Sequence, residues 1–283
     1  MLRNIFVSFV FLFASALFAS HEIGDVLDYI MDLESKIHCD GTPTKNEIIS
    51  DSEGRDVKVT YFCKDGMPEL QQASIVNNKG LLETEINRVN FVGDVFAVRE
   101  KYFTFHDNGS TKTTTEYFVE YNPKENTSRS IYTNNDEYSE DKRLKRSVNI
   151  QSGTTTEESW DYFPNGARSK YTVVITTDKD KSESIIDYNQ SGEKIRDTEI
   201  YYDLTESTPY KKEITAYDLK SQKIVEVVIY EYENGIERFK TTDEYERGKL
   251  LSRTYYELIY DEQGKFKKEK KTGLIFFPAF DWA

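Results

Sequence analysis

Cysteine and histidine are scarce in this sequence, which has two cysteines, Cys39 and Cys63, and three histidines, His21, His38 and His106. Neither a C-x-x-C nor an H-E-x-x-H spacing occurs, so we expect no metal site and no cofactor. No G-x-S-x-G elbow and no glycine-rich phosphate loop is present either. The sequence therefore offers no motif for catalysis by a serine or cysteine nucleophile, by a zinc ion or on a nucleotide.

Long apolar runs are equally scarce, because only IFVSFVFLFASALFA at residues 5–19 qualifies. It follows Arg3, precedes the polar stretch SHEIGD, and is shorter than the roughly 20 residues of a membrane-spanning helix. We predict a signal peptide at residues 1–19, with the mature chain starting at Leu17 or Ser20. No cysteine follows either position, so no lipid anchor and no membrane span after signal removal are expected. The chain should be exported, to the periplasm, the cell surface or the medium.

Basic residues are outnumbered, with 37 Lys and Arg against 50 Asp and Glu and a net charge of −13. Such a chain repels nucleic acid and anionic lipid, so we expect no nucleic-acid partner. The tract KFKKEKK at residues 265–271 is the exception. Lysines commonly protect sheet edges, so a solvated edge strand is favoured there over a binding patch.

The two cysteines form an even pair in a chain expected to reach an oxidising compartment, so Cys39 and Cys63 are candidates for a disulfide. If the turn between them centres on SDSEG at residues 50–54, Cys63 faces a residue near Thr42. A bulge would then be needed for the sulfurs to meet. Two buried, inert thiols are the alternative.

Turn-forming residues recur about every fourteen positions along the chain. Twelve of the fourteen glycines lie on this spacing. The first six are Gly41, Gly54, Gly66, Gly80, Gly93 and Gly109. Asn165-Gly166 and Asn234-Gly235 are especially strong signals for tight turns, because both residue types tolerate positive φ.

Segments rich in Tyr, Thr, Val, Ile and Phe separate these turns, and they favour extended backbone. Examples are TKTTTEYFVEY, SKYTVVITT, QKIVEVVIYEY and LLSRTYYELIY. We predict an all-β fold in which residues 39–283 form a β-hairpin repeat domain. The domain is an antiparallel meander of about 16 strands, in an extended twisted sheet that can be a single layer. A closed β-barrel is the alternative.

One short helix, or N-terminal cap, is predicted at residues 20–38. Its apolar residues recur at intervals of mostly three and four positions. They are Ile23, Val26, Leu27, Ile30, Met31, Leu33 and Ile37. A capping element that covers one end of the sheet is favoured over a partner-binding helix.

Hydrophobic residues make up 37% and charged residues 31% of the chain, which leaves little material for one thick core. The 20 tyrosines and 17 phenylalanines suggest a different source of stability. Rings that lie across neighbouring strands bury area locally, while the stems of Lys and Glu cover their edges.

The segment YELIYDEQGKF at residues 256–266 places a Tyr-Asp pair before a glycine turn, and IIDYNQSGEKI, VIYEYENGIERF and FTFHDNGSTK are looser copies. This pattern resembles RHS-type tyrosine–aspartate repeat proteins and YwqK/MORN-like bacterial β-hairpin repeat proteins over residues 98–271. Repeat lengths vary, and AYDLKSQKI lacks the glycine. The resemblance implies a β-repeat scaffold and transfers no active site.

Two functions remain open at this point. The first is a non-enzymatic scaffold or binding protein of the bacterial envelope or surface, which presents aromatic and acidic surface to a protein or glycan partner. The alternative is a secreted carbohydrate-active hydrolase, which needs a pocket with a desolvated carboxylate pair. A scaffold should instead show an exposed Tyr/Phe row or a groove. Trp160, Tyr162 and Phe163 are the candidate ligand-binding residues, with hairpin packing as their other role.

Overall fold

The computed structural model describes residues 23–40, 44–90, 95–122, 124–125, 127–203 and 208–277. The predicted signal peptide at residues 1–19 lies outside this part of the chain. The described residues form one helix, α1 (Ile23–Lys36), and seventeen strands. In chain order the strands are β1 (Thr44–Ser50), β2 (Asp56–Lys64), β3 (Met67–Val76), β4 (Leu82–Asn90), β5 (Phe96–Phe105), β6 (Thr111–Asn122), β7 (Thr127–Tyr138), β8 (Leu144–Gln151), β9 (Thr154–Tyr162), β10 (Arg168–Thr176), β11 (Asp180–Tyr188), β12 (Lys194–Asp203), β13 (Thr208–Tyr217), β14 (Ile224–Glu233), β15 (Ile236–Glu246), β16 (Lys249–Tyr260) and β17 (Phe266–Phe276).

The seventeen strands belong to one open antiparallel sheet, in which β1 to β6 and β8 to β17 each pair with the next strand along the chain. The predicted all-β antiparallel meander with a short N-terminal helix is confirmed, and the closed barrel is not formed. The chain divides into two compact units, Met1–Thr133 and Asn134–Ala283. Over the described ranges, no helix has the length and apolar character needed to cross a membrane.

The Tyr-Asp pair before a glycine reflects the geometry of one recurring turn. After Tyr260, Oδ1 of Asp261 accepts the main-chain N–H groups of Gln263 at 3.0 Å and Lys265 at 2.8 Å. The N–H of Gly264 donates to the carbonyl of Asp261 at 3.0 Å, and Gly264 has a φ of 75°. Aspartate thus closes the turn with its side chain, and glycine supplies the left-handed residue. The same main-chain bonds close the turns at residues 51–55, 77–81 and 189–193.

A second kind of turn has two residues, both with positive φ, as in type I′ hairpins. These turns are Asp65-Gly66, Ser152-Gly153, Asn234-Gly235 and Arg247-Gly248. Asn165-Gly166 differs, because Gly166, with a φ of 88°, is the left-handed residue of a longer turn. In that turn the N–H of Phe163 donates to the carbonyl of Ala167 at 2.8 Å.

Tyrosines close to the turns lie at irregularities of the ladders. From β11–β12 to β16–β17, each of the six ladders shifts register beside a tyrosine. These residues are Tyr188, Tyr202, Tyr217, Tyr232, Tyr245 and Tyr260. An extra residue in one strand is a β-bulge and increases the local twist. Each of these tyrosines therefore marks a bulge next to a turn.

In the first unit, α1 packs against the sheet and creates a two-layer core. The buried residues of α1 and the segment after it are Val26, Ile30, Leu33 and Ile37. They meet Val57, Val59 and Tyr61 of β2, Leu70, Ala73 and Ile75 of β3, Ile86 of β4, Val98 of β5 and Tyr121 of β6. This core exceeds what the composition suggested, because the helix and the alternating apolar residues of β2 concentrate the few aliphatic side chains in one unit.

In the second unit, buried side chains lie on both faces of the strands. Val227 and Val228 are neighbours in β14 and therefore point to opposite faces, yet both are buried. In β16, the buried residues Ser252, Thr254 and Leu258 share one face. Many rings of these strands are half-buried, and lysine ammonium groups lie over some of them, as at Tyr202 and Tyr217.

The lysine tract lies in β17, which pairs with β16 in the described ladder. Residues 266–272 of this strand are all exposed. This exposure agrees with the solvated strand that was favoured for the tract over a binding patch. Lysine side chains on such a strand discourage pairing with another chain.

Cys39 and Cys63 form a disulfide, with their Cα atoms 5.8 Å apart. The predicted bulge between β1 and β2 is wrong, since their register runs from Thr44↔Phe62 to Ser50↔Asp56 without a shift. Cys39 lies between α1 and β1, outside the ladder. The chain leaving the helix can therefore reach Cys63 beyond the last ladder pair.

Candidate functional site

The three predicted ligand-binding residues lie at the end of β9, and all three are half-buried. The ring of Trp160 stacks on Tyr171 with centroids 5.5 Å apart, and the hydroxyl of Tyr162 donates to the carbonyl of Leu144 at 2.8 Å. Phe163 begins the following turn. Trp160 and Tyr162 thus make contacts with the neighbouring strands β10 and β8. A role in ligand binding remains a prediction.

A more exposed set of rings lies on β12, β13 and β15. The register brings Tyr201, Lys211, Glu231 and Phe239 into one row across four strands, on the same face. Tyr210 is the additional residue at the bulge beside Tyr201, and their ring centroids are 6.1 Å apart. Tyr210 is 52% exposed and Phe239 is 44% exposed. Large exposed rings of this kind are typical of contact surfaces.

Glutamates border these rings on the same face. Glu199 and Glu213 are direct cross-strand partners, and Glu257 is the partner of Phe239. Lys211 balances part of this charge, because its Nζ lies 3.1 Å from Oε2 of Glu213. We call the set of Tyr201, Tyr210, Phe239, Glu199, Glu213, Glu231 and Glu257 the acidic–aromatic surface. Sequence reasoning missed it, although the alternation of rings and acids in β12 and β15 is visible in the sequence.

Neighbouring tyrosines are held by a cation and a carboxylate at once. Nζ of Lys181 lies 4.7 Å from the ring centroid of Tyr202, whose hydroxyl donates to Glu183 at 2.9 Å. Burial, and then the carboxylate of Glu183, raise the pKa of Tyr202 to about 12. The same arrangement recurs at Lys194, Tyr217 and Asp197. These rings stay neutral at physiological pH and are fixed in place, so the strands form a firm support for the acidic–aromatic surface.

The first unit contains a pocket beneath α1, with a volume of about 220 Å³. Aliphatic side chains from α1, β3 and β4 form part of its wall. Its polar lining consists of Tyr29, Arg55, Thr84, Glu100 and Tyr102. The helix and the strands of one core thus form a pocket that is partly open to solvent and contains polar groups.

Glu100 is the buried acid of this pocket, with 4% of its surface exposed. Burial raises its pKa to about 7, an effect that the hydrogen bond from the hydroxyl of Tyr102, at 3.4 Å, opposes. Near neutral pH this carboxyl is therefore about half ionised. Sequence reasoning missed Glu100, although period two places it on the inward face with Val98 and Tyr102.

A second buried carboxylate, Asp51, lies behind the pocket wall. It accepts Nε of Arg55 at 2.7 Å and the hydroxyl of Tyr29 at 3.2 Å. Burial disfavours its charge, but the hydrogen bonds from Arg55 and Glu53 outweigh burial and lower its pKa. Asp51 stays ionised and is bound to protein groups. Among the described lining residues, Glu100 is the carboxyl that faces the cavity.

Comparisons with known proteins identify no family for this chain. No protein-family model and no curated protein matches it. A porin-like protein from Bacteroides uniformis is 11% identical over 67% of this chain and 92% of that one, with a TM-score of 0.22. A structure of TcdB2-TccC3-TEV is 9% identical over 80% of this chain but 16% of that chain, with a TM-score of 0.21. A Bacteroides fragilis protein with unknown function is 10% identical over 64% and 92%, with a TM-score of 0.13. TM-scores this low support no conclusion about the present chain.

Proposed function

We propose that the chain is an exported, non-enzymatic β-repeat scaffold of the bacterial envelope or surface, which binds a protein or glycan partner through the acidic–aromatic surface. The observation that carries this proposal is the exposure of Tyr210 and Phe239 on strands whose neighbouring glutamates face the same side. Tyrosine rings offer a large, rigid contact area at a small entropic cost. The glutamates would accept hydrogen bonds from sugar hydroxyls or pair with a basic protein surface.

Export is supported by two features of different kinds. The apolar run at residues 5–19 has the composition of a signal peptide. The disulfide between Cys39 and Cys63 suits an oxidising compartment. Fractionation of the native host should recover the protein outside the cytoplasm, and cytoplasmic recovery of the full-length chain would contradict export.

A secreted carbohydrate-active hydrolase is the second candidate, because Glu100 has a pKa of about 7 and could act as a general acid. Glycoside hydrolysis, however, requires a second carboxyl across the substrate. Asp51 is bound to Arg55 and does not line the pocket. This arrangement favours binding over hydrolysis. Turnover of any member of a glycan panel, lost in Glu100→Gln, would reverse the ranking.

The binding test uses the double variant Tyr210→Ala/Phe239→Ala. Phe62→Ala is the matched control, because Phe62 is also 44% exposed but belongs to the first unit. Immobilised protein is incubated with solubilised envelope from the native host, and separately with a glycan array. We expect the double variant to lose at least about tenfold in partner retention and the control to retain wild-type binding. Equal retention by the double variant would reject the acidic–aromatic surface, and the arm that gives a signal distinguishes protein from glycan.

A further inference from the structure

The pocket beneath α1 has the size and lining of a small-molecule site. Its volume of about 220 Å³ exceeds the roughly 150 Å³ of an engineered apolar cavity that binds benzene, so a ligand of about seven heavy atoms would fit. Val26, Ile75 and Ile86 provide an apolar wall, and Tyr29 and Tyr102 add aromatic surface. A compact apolar body would therefore be accommodated there.

The charged groups of the pocket determine whether it favours a positively or a negatively charged ligand. The guanidinium of Arg55 lies 2.7 Å from Asp51 and 3.0 Å from Glu53, so its charge is already balanced by these two carboxylates. On the sheet, Glu100 has the buried Ile86 as its cross-strand partner on β4 and the half-buried Tyr117 on β6. A carboxylate in such surroundings gains from an entering cation, whereas an anion would be repelled. Tyrosine faces also attract cations.

We propose that this pocket binds a small organic ammonium ion, with the ammonium group at the carboxylate of Glu100 and the apolar body against Val26, Ile75 and Ile86. The site lies in the first unit and shares no residue with the acidic–aromatic surface. It is thus independent of the proposed partner binding and goes beyond it.

Binding of such a cation should depend on pH through Glu100. The titratable or charged groups around this carboxyl come from α1, the turn after β1, and strands β5 and β6. Among the described residues they include Tyr29, Arg55, Tyr102, Tyr117 and Tyr121. Asp28 of α1 adds a negative charge that acts on Tyr121. Burial raises the pKa of each of these tyrosines, and Arg55 remains charged. Glu100, with a pKa of about 7, is therefore the group of this set that changes charge near neutral pH.

The experiment compares cyclohexylammonium with cyclohexanol, which has nearly the same size and shape but no charge. Titration calorimetry on the full chain at pH 8 should show the ammonium ion binding at least about tenfold more tightly than the alcohol. At pH 5, two units below the pKa of Glu100, the affinity for the ammonium ion should fall by about 100-fold. Equal binding of both probes, the same affinity at pH 5 and pH 8, or no binding of the ammonium ion at millimolar concentration would each overturn the proposal.

A pair of variants locates the site. Glu100→Gln should weaken cyclohexylammonium binding at pH 8 by at least about tenfold and remove its pH dependence. Glu85→Gln is the control, because Glu85 lies on β4 next to Ile86 and so points to the opposite face from the pocket. Loss of binding in Glu85→Gln alone would reject the assignment. If Glu100→Gln does not fold, the pH series and the neutral probe on the wild-type protein still decide the question.

Discussion

At the scale of single residues, two buried carboxyl groups differ because their neighbours differ. Glu100 lies among aliphatic and aromatic side chains, so burial raises its pKa to about 7. Asp243, 3% exposed, receives Nε and Nη2 of Arg253 at 2.6 Å each. Above neutral pH the charge of Glu100 destabilises the fold. The buried charge of Asp243 is instead compensated by the guanidinium of Arg253.

Glu100→Gln should therefore change how stability depends on pH. The folded pKa lies above the unfolded value of 4.5, so the wild-type protein is most stable, as far as this group is concerned, below pH 4.5. It loses stability as pH rises through 7. The variant should be more stable than the wild type at pH 8 by on the order of 3 kcal/mol and show no advantage at pH 4. Urea unfolding at both pH values measures the difference, and a pH-independent difference would contradict the assignment.

Arg253→Met should destabilise the second unit by about 2–4 kcal/mol, because it leaves Asp243 buried without its guanidinium. Arg196→Met is the matched control, since Arg196 pairs with Asp187 across β11 and β12 on a more exposed surface. The control should lose less than about 1 kcal/mol. Urea unfolding of both variants provides the comparison. Similar losses would show that burial of Asp243 is not what makes its ion pair important.

At the scale of elements, the pattern of Tyr, then Asp or Asn, then Gly, as in YDEQG and YNQSG, could be predicted in part. Aspartate and glycine mark the turn because each meets a local requirement, a side-chain acceptor or a positive φ. The register shift beside Tyr260 was not predictable, because it depends on how β16 pairs with β17. The helix was predictable from its periodicity, while the β2–β6 face that it covers was not.

Leu33→Ala should reveal how much α1 contributes to the first unit. Leu33 is 0% exposed in the core, so we expect a loss of about 3–4 kcal/mol from its removal. Met31→Ala is the control on the same helix, since Met31 is 55% exposed and should cost less than about 0.5 kcal/mol. Thermal and urea unfolding measure both effects. A small loss in Leu33→Ala would mean that the helix does not support the core.

At the scale of the whole molecule, the two compact units are stabilised in different ways. The first has a helix-covered aliphatic core and the disulfide. The second has buried groups on both strand faces and rings held by cations and carboxylates, as at Tyr202 and Tyr217. A treatment that acts on the disulfide should therefore affect the units unequally.

The double variant Cys39→Ser/Cys63→Ser tests this difference. The disulfide joins residues 24 positions apart, so its loss should lower the unfolding free energy of the first unit by about 3 kcal/mol. Hydrogen exchange should show faster exchange in β2 and β3 and unchanged exchange in β14 and β15. Equally faster hydrogen exchange in both units would contradict the expectation that the disulfide stabilises the first unit alone.

The sequence alone determined the turns, the strands and the helix, because Gly, Asn, Asp, β-branched and aromatic residues act through their own backbone preferences and the period of their neighbours. Trp160, Tyr162 and Phe163 were recognisable as a local aromatic cluster for the same reason. Only the tertiary structure decided that Glu100 lies in a pocket, that Tyr210 and Phe239 share an exposed face, and that Cys39 reaches Cys63. These outcomes depend on strand register and helix placement, which bring together residues far apart in the chain and set how much water each one loses.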